Sequence, residues 1–113
     1  GWWRHSSKPE ERTCMQLYLA TDGNAANWDL IRASFMSVAN TAIVPAQDFL
    51  GLDSDARMNF PGRADGNWTW RLVEGQLDGA LAHRIWCSLL LYERCANPPE
   101  SVVKAVRQKE PMY

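Results

Sequence analysis

A chain of 113 residues, 46% hydrophobic and 22% charged, can bury the surface of one domain at most, or part of one, and is not a disordered polymer. Its formal net charge of −1, from 12 Lys and Arg against 13 Asp and Glu, gives no electrostatic footprint for nucleic acid or an anionic membrane. No apolar run approaches the roughly 18 residues of a membrane-crossing helix, and Gly1-Trp2-Trp3-Arg4-His5 is not a secretory leader. The first residue is Gly1 rather than Met, so the sequence also reads as a processed product or a piece of a longer chain.

Taken in order, residues 2–8 are polar apart from Trp2 and Trp3. A helix is predicted from Pro9, because proline suits a first turn and Glu10 and Glu11 favour the positive end of the helix dipole. Cys14, Leu17 and Tyr18 fall on one face, and Asp22-Gly23-Asn24 stops it. A second helix is predicted from Asn27, a suitable N-cap, to Ala39, with Ile31, Phe35 and Val38 on one face beside Leu30. Thr41–Gln47 is apolar, β-branched and without polar alternation, which predicts a strand buried on both faces as in a parallel sheet. Pro45 removes one ladder donor from it. Helix followed by buried strand is an α/β pattern.

Asp48–Asp53 predicts a short helical turn ending at Gly51, and residues 54–71 form a long connection. Met58, Trp68 and Trp70 argue that this connection is ordered. A helix over Glu74–Arg94 carries Leu77, Leu81, Ile85 and Leu89 at four-residue spacing, with Trp86 and Leu90 on the flank and His83 on the solvent side. Asn97-Pro98-Pro99 breaks the chain, and the polar tail 97–113 predicts a weak helix over Ser101–Gln108. Cys14, Cys87 and Cys95 read as reduced thiols; Cys87 and Cys95, placed on one helix, would lie about 12 Å apart, too far for a disulfide. His5 and His83 are far apart and make no zinc pattern.

Among chemical candidates, Gln47-Asp48 lies just past the predicted strand, at the end where catalytic groups gather in parallel α/β folds. The competing reading, which we favour, is that Asp48 caps the next short helix. Asp53 and Asp55 read as solvated, and no Ser/His/Asp spacing or phosphate-cradling loop is present. Asn67-Trp68-Thr69 fits a glycosylation sequon, which an intracellular chain does not use. Arg57-Met58-Asn59-Phe60-Pro61-Gly62 joins a cation, an amide and apolar groups. Such groups can bond sugar hydroxyls and pack on sugar rings, or simply fold over their own hydrophobic residues.

The ordered set Ala39–Leu52, Asp55–Gly62 (Ala-Arg-Met-Asn…Pro-Gly) and Gly66–Arg71 (Gly-Asn-Trp-Thr-Trp-Arg) resembles the C-terminal end of the 4-α-glucanotransferases, the amylomaltases or disproportionating enzymes of glycoside hydrolase family 77. The resemblance runs from Gly1-Trp2-Trp3 to about Arg94. It implies the C-terminal portion of a (β/α)8 barrel, mostly helical with one buried strand at about 41–47 and incomplete on its own, with domain limits 1–96 and a polar tail 97–113. It implies retaining transfer of α-1,4-glucan segments through a covalent intermediate, with an Asp nucleophile, a Glu acid/base and a stabilising Asp. All three carboxylates match positions before Gly1, so no catalytic residue is assigned here. By resemblance Asn59 and Pro61 line the donor-sugar region, with Arg57 and Met58 alongside; Phe60 stands where the family more often has Thr.

The implied partners are α-1,4-glucans, maltooligosaccharides and the N-terminal part of the barrel, with no nucleic acid and no membrane, and the resemblance implies no metal and no organic cofactor. The implied location is the cytoplasm, or the plastid stroma in a photosynthetic eukaryote. The alternatives are a stand-alone carbohydrate-binding or interaction module and an inactive truncated fragment.

Overall fold

In a computed structural model of the chain, which describes residues 1–108, the secondary structure is helical. A wide π-type turn at Trp2–Ser6 precedes α1 (Pro9–Leu19) and α2 (Ala26–Phe35). A short α3 (Ala46–Phe49) and a 3₁₀ turn (Ser54–Ala56) lead into a long loop, and α4 (Gly79–Leu91) and α5 (Glu100–Arg107) follow. The described residues divide into two compact units, one built from 1–31 with 43–73 and the other from 32–42 with 74–108.

In the first unit, α1 begins at Pro9 as expected. The N–H of Lys8 donates to Glu11 Oε2 at 2.8 Å, so the helix start is closed by its own third residue. It ends at Leu19 because Ala20 turns left-handed (φ 51°) and the Thr21 N–H closes onto the Gln16 carbonyl at 3.0 Å. Its inward face is not the expected one. Cys14, Leu17 and Tyr18 are exposed, whereas Leu19 is buried and Met15 and Gln16 are half-buried. Trp3 and Gly23 cover the Gln16 side. A Cβ on Gly23 would stand 2.6 Å from the Trp3 ring and 3.0 Å from Gln16 Nε2, so that position admits glycine and its φ of +79° requires it again.

Asn27 lies inside the first turn of α2 instead of capping it, and its Nδ2 donates to the Asp48 carbonyl at 2.8 Å. The helix buries Ala26 and Ile31 in the first unit and Phe35 in the second. It stops at Phe35, short of Ala39, where the Ser37 hydroxyl donates to the Ser34 carbonyl at 2.8 Å and competes with the helical pattern. Val38, expected on the buried face, is therefore past the helix and fully exposed.

The strand expected over 41–47 is absent. Residues 41–45 carry no regular structure, α3 starts at Ala46, and no strand exists among the described residues. A strand requires a ladder partner. Residues 41–44 make no backbone hydrogen bond among the described residues, and Ile43, expected to be buried, is 87% exposed. The short helix after it ends at Gly51 (φ +65°), as anticipated, but Asp48 sits within its first turn and Pro45 occupies the cap position.

In the second unit, α4 is shorter than the Glu74–Arg94 expectation because Asp78 starts it: its carboxylate accepts the Leu81 N–H at 2.8 Å. Cys95 consequently lies beyond the helix that holds Cys87, and none of the three cysteines is in a disulfide among the described residues. The core face also moves. Cys87 is fully buried with Val102 and Ala105 of α5, and Trp86, Leu90 and Val106 pack against them, while Leu77 is exposed. His83 is drawn to this side, half-buried, with Nε2 3.5 Å from Cys87 Sγ, and is not solvated as expected. The cause is α5. The tail helix expected over 101–108 docks on α4 and selects its 83/86/87/90 face. Residues 109–113 of the predicted tail lie outside the described residues.

Arg94 closes the open end of α2. Its Nε donates to the Phe35 carbonyl at 2.5 Å, and Nη2 donates to the carbonyls of Ser37 (3.1 Å) and Ala39 (2.9 Å), satisfying acceptors that a helix terminus leaves orphaned.

Candidate functional site

The loop bearing Arg57, Met58, Asn59 and Pro61 belongs to the first unit and leaves the 3₁₀ turn at Ala56. Ala56 is buried, and its carbonyl accepts from Gln47 Nε2 at 3.1 Å, which anchors the loop's first end on α3. Its second end is tied by the Trp68 N–H, which donates to the Met58 carbonyl at 2.5 Å. Between these points the Asn67 side chain bridges the loop. Its Oδ1 accepts the Phe60 N–H at 2.7 Å and its Nδ2 donates to the Arg63 carbonyl at 2.9 Å. The Arg63 N–H turns back to the Phe60 carbonyl at 3.2 Å.

The predicted residues are held together at one rim of this loop. Asn59 and Pro61 are exposed, Met58 is half-buried, and Arg57 is exposed with Nε donating to the Asn59 carbonyl at 2.7 Å. Phe60 carries two guanidinium groups over its ring, Arg57 at 5.4 Å and Arg63 at 4.6 Å from the centroid. Trp68 is 62% exposed and held at φ 59°, an uncommon backbone for a bulky residue. Arg71 fixes the following stretch by donating to the Trp68 carbonyl at 2.9 Å and the Trp70 carbonyl at 2.8 Å. The rim thus offers an amide, a cation and an aromatic face, the groups that engage hydroxyls and apolar sides of a sugar.

The sequence reading passed over two features. One is the role of Asn67, which as a residue type signals only a turn or a sequon. The other is a hollow of about 380 Å³ in the same unit, walled by Trp2, Trp3, Asn24, Asn27, Leu30 and Asp48 among others. Beside it, Trp28 packs on Phe49 with ring centroids 5.7 Å apart. Asp53, expected to be merely solvated, is the hub of the amino-terminal turn: Oδ2 lies 2.8 Å from His5 Nε2 and 3.5 Å from Arg4 Nη1, and Oδ1 accepts the Ser54 N–H at 2.7 Å. The His5 hydrogen bond first, then the Ser54 N–H and the Gly1 ammonium, hold its carboxyl well below the usual carboxylate range. Among the described residues no cluster of His, Cys, Asp and Glu could hold a metal ion, and no helix is long and apolar enough to cross a membrane.

Comparison with known proteins gives one answer. Residues 1–76 match the model of glycoside hydrolase family 77, described as 4-alpha-glucanotransferase. The chain is 45% identical over 83 residues to a 4-alpha-glucanotransferase of Thermus thermophilus, an overlap of 68% of this chain and 16% of that relative. It is 36% identical over 96 residues to the one of Clostridium butyricum (84% and 20%). It is 43% identical over 72 residues to a chloroplastic/amyloplastic one of Arabidopsis thaliana (64% and 12%). The chain spans a fifth or less of the length of these relatives. With more than half of its residues on the family model, the loop of Arg57–Pro61 included, the chain belongs to the 4-alpha-glucanotransferase family, glycoside hydrolase family 77.

Proposed function

We propose that this chain is the C-terminal segment of a 4-alpha-glucanotransferase, and that residues 57–61 contact the glucan. The observation that carries the reading is the closed loop of the matched region, which keeps Asn59 and Pro61 exposed and ties the exposed Trp68 by its backbone N–H to the Met58 carbonyl. In this reading residues 1–96 belong to a (β/α)8 barrel, and 97–113 form an appendage whose α5 docks on α4. Residues 41–47 become a barrel strand once neighbouring strands flank them; their β-branched side chains and unpaired backbone support that. The substrate is an α-1,4-glucan or maltooligosaccharide, transferred with retention. The nucleophile and the acid/base come from the remainder of the barrel. No cofactor takes part. The site of action is the cytoplasm or a plastid.

The test is a chimera. Residues 1–96 replace the matching segment of the Thermus thermophilus relative, and glucose release from maltotriose is followed. Transfer activity is expected, falling at least about tenfold in kcat/KM with Asn59→Ala, the cost of one buried polar contact in a transition state. A folded chimera without activity, or one indifferent to Asn59→Ala, overturns the reading.

The second reading, a stand-alone carbohydrate-binding module, has its own observation in the hollow walled by Trp2, Trp3 and Asn27. It predicts that Trp3→Ala, and not Asn59→Ala, abolishes the fluorescence response of the isolated chain to maltoheptaose.

A further inference from the structure

We infer that Asn67 is the positioning residue of the glucan-facing loop: its side-chain amide fixes the rim that presents Asn59 and Pro61 to the sugar. The inference rests on the proposed role of that loop and adds the element that shapes it. The loop lies mostly exposed and has no secondary structure from 57 to 71, so burial does little to hold it. What remains is its internal hydrogen bonding. Asn67 supplies both an acceptor and a donor across a seven-residue interval, to the Phe60 N–H at 2.7 Å and the Arg63 carbonyl at 2.9 Å.

These bonds bear directly on the proposed binding residues. The Phe60 N–H belongs to the Asn59–Phe60 peptide, so fixing it constrains the backbone from which the Asn59 side chain leaves the chain. Pro61 has no N–H, so this stretch offers few other ties to the opposite strand of the loop. The turns on either side are set by Gly62 and Gly66, both at φ +79° with no atom within 4 Å of a Cβ. They permit the shape without holding it. The Trp68–Met58 backbone bond closes the base of the loop but lies below the rim. Phe60 also carries the Arg57 and Arg63 guanidinium groups over its ring, so a displaced Phe60 peptide moves those cations as well. Asn67 touches no sugar in this account; it acts through Asn59.

The experiment titrates the chimera carrying residues 1–96 with maltoheptaose by tryptophan fluorescence, for the parent chimera and for Asn67→Ala, Asn67→Asp, Asn59→Ala and the Asn59→Ala/Asn67→Ala double variant. Far-UV circular dichroism and the thermal midpoint are recorded for each. Asn67→Ala is expected to weaken binding about tenfold with an unchanged thermal midpoint, since the loss of hydrogen bonds in an exposed loop falls on presentation. Asn67→Asp keeps the acceptor for the Phe60 N–H and is expected to recover part of the loss. In the Asn59→Ala background the second substitution is expected to cost less than about twofold, because the two residues act in series.

Equal affinity for the parent and Asn67→Ala overturns the inference alone. So does full additivity of the two substitutions, which would make Asn67 an independent contact, or a loss that appears only with a lowered thermal midpoint. Asn67→Asp as weak as Asn67→Ala also counts against it, by removing the role of the Phe60 bond. No saturable response from the parent overturns the glucan reading of the loop, and the inference with it.

Discussion

Gly23 shows how much one side chain's absence can decide. Its backbone is left-handed and the Trp3 ring lies where a Cβ would go, so substitution meets torsional strain and overlap together. Gly23→Ala is expected to destabilise the chain by about 1–3 kcal/mol, read from chemical unfolding. Asp53 makes a different kind of prediction. Its carboxyl is held below its ordinary value, so the stabilisation it gives is complete above about pH 4 and is lost as the pH falls through the lowered value. The thermal midpoint of the parent should therefore exceed that of Asp53→Asn at neutral pH, and the gap should shrink on strong acidification. At this scale the sequence was a partial guide. The composition of Arg57–Gly62 singled out this loop, in which the structure leaves Arg57, Asn59 and Pro61 exposed and Met58 and Phe60 half-buried. Asn67 and Asp53 escaped because an amide or carboxylate takes its meaning from partners that the loop geometry brings, His5 being 48 residues away from Asp53.

The helices were most legible where a local rule governs them. Pro9 with the acidic residues after it marked the start of α1, and the prolines at 98 and 99 marked the break before α5. What failed was the choice of face. α4 is apolar nearly all round, so four-residue spacing could nominate Leu77–Leu89 as readily as His83–Leu90, and only the docking of α5 settles it. Val102 is the keystone of that contact, 2% exposed against Cys87. Val102→Ala should cost roughly 1.5–3 kcal/mol, the value of burying such a side chain, and should lower the helical signal before the rest of the transition. The expected strand failed for a related reason: a strand is a property of a pair, and residues 41–44 have no ladder partner among the described residues.

For the whole molecule, family membership was carried by ordered motifs such as Ala56-Arg57-Met58-Asn59 and Gly66-Asn67-Trp68, far more than by composition or period. Architecture was less legible, because the apolar run 41–47 suits a buried strand by composition yet carries no regular structure over 41–45. A (β/α)8 barrel takes roughly 250 residues, and this chain has 113. On the proposed reading, incubated alone with maltotriose it should release no glucose, chromatography of the products being the check; sustained disproportionation would overturn that reading. The seal of α5 over α4 has a further, chemical consequence. It sorts the thiols by access: Cys14 is exposed, Cys95 is partly so, and Cys87 is shut beneath Val102 and Ala105. A disulfide-exchange reagent should then modify Cys14 first and Cys87 last, at a rate set by how often α5 lifts. Cys87 is a built-in clock for that one motion, readable without attaching any label elsewhere.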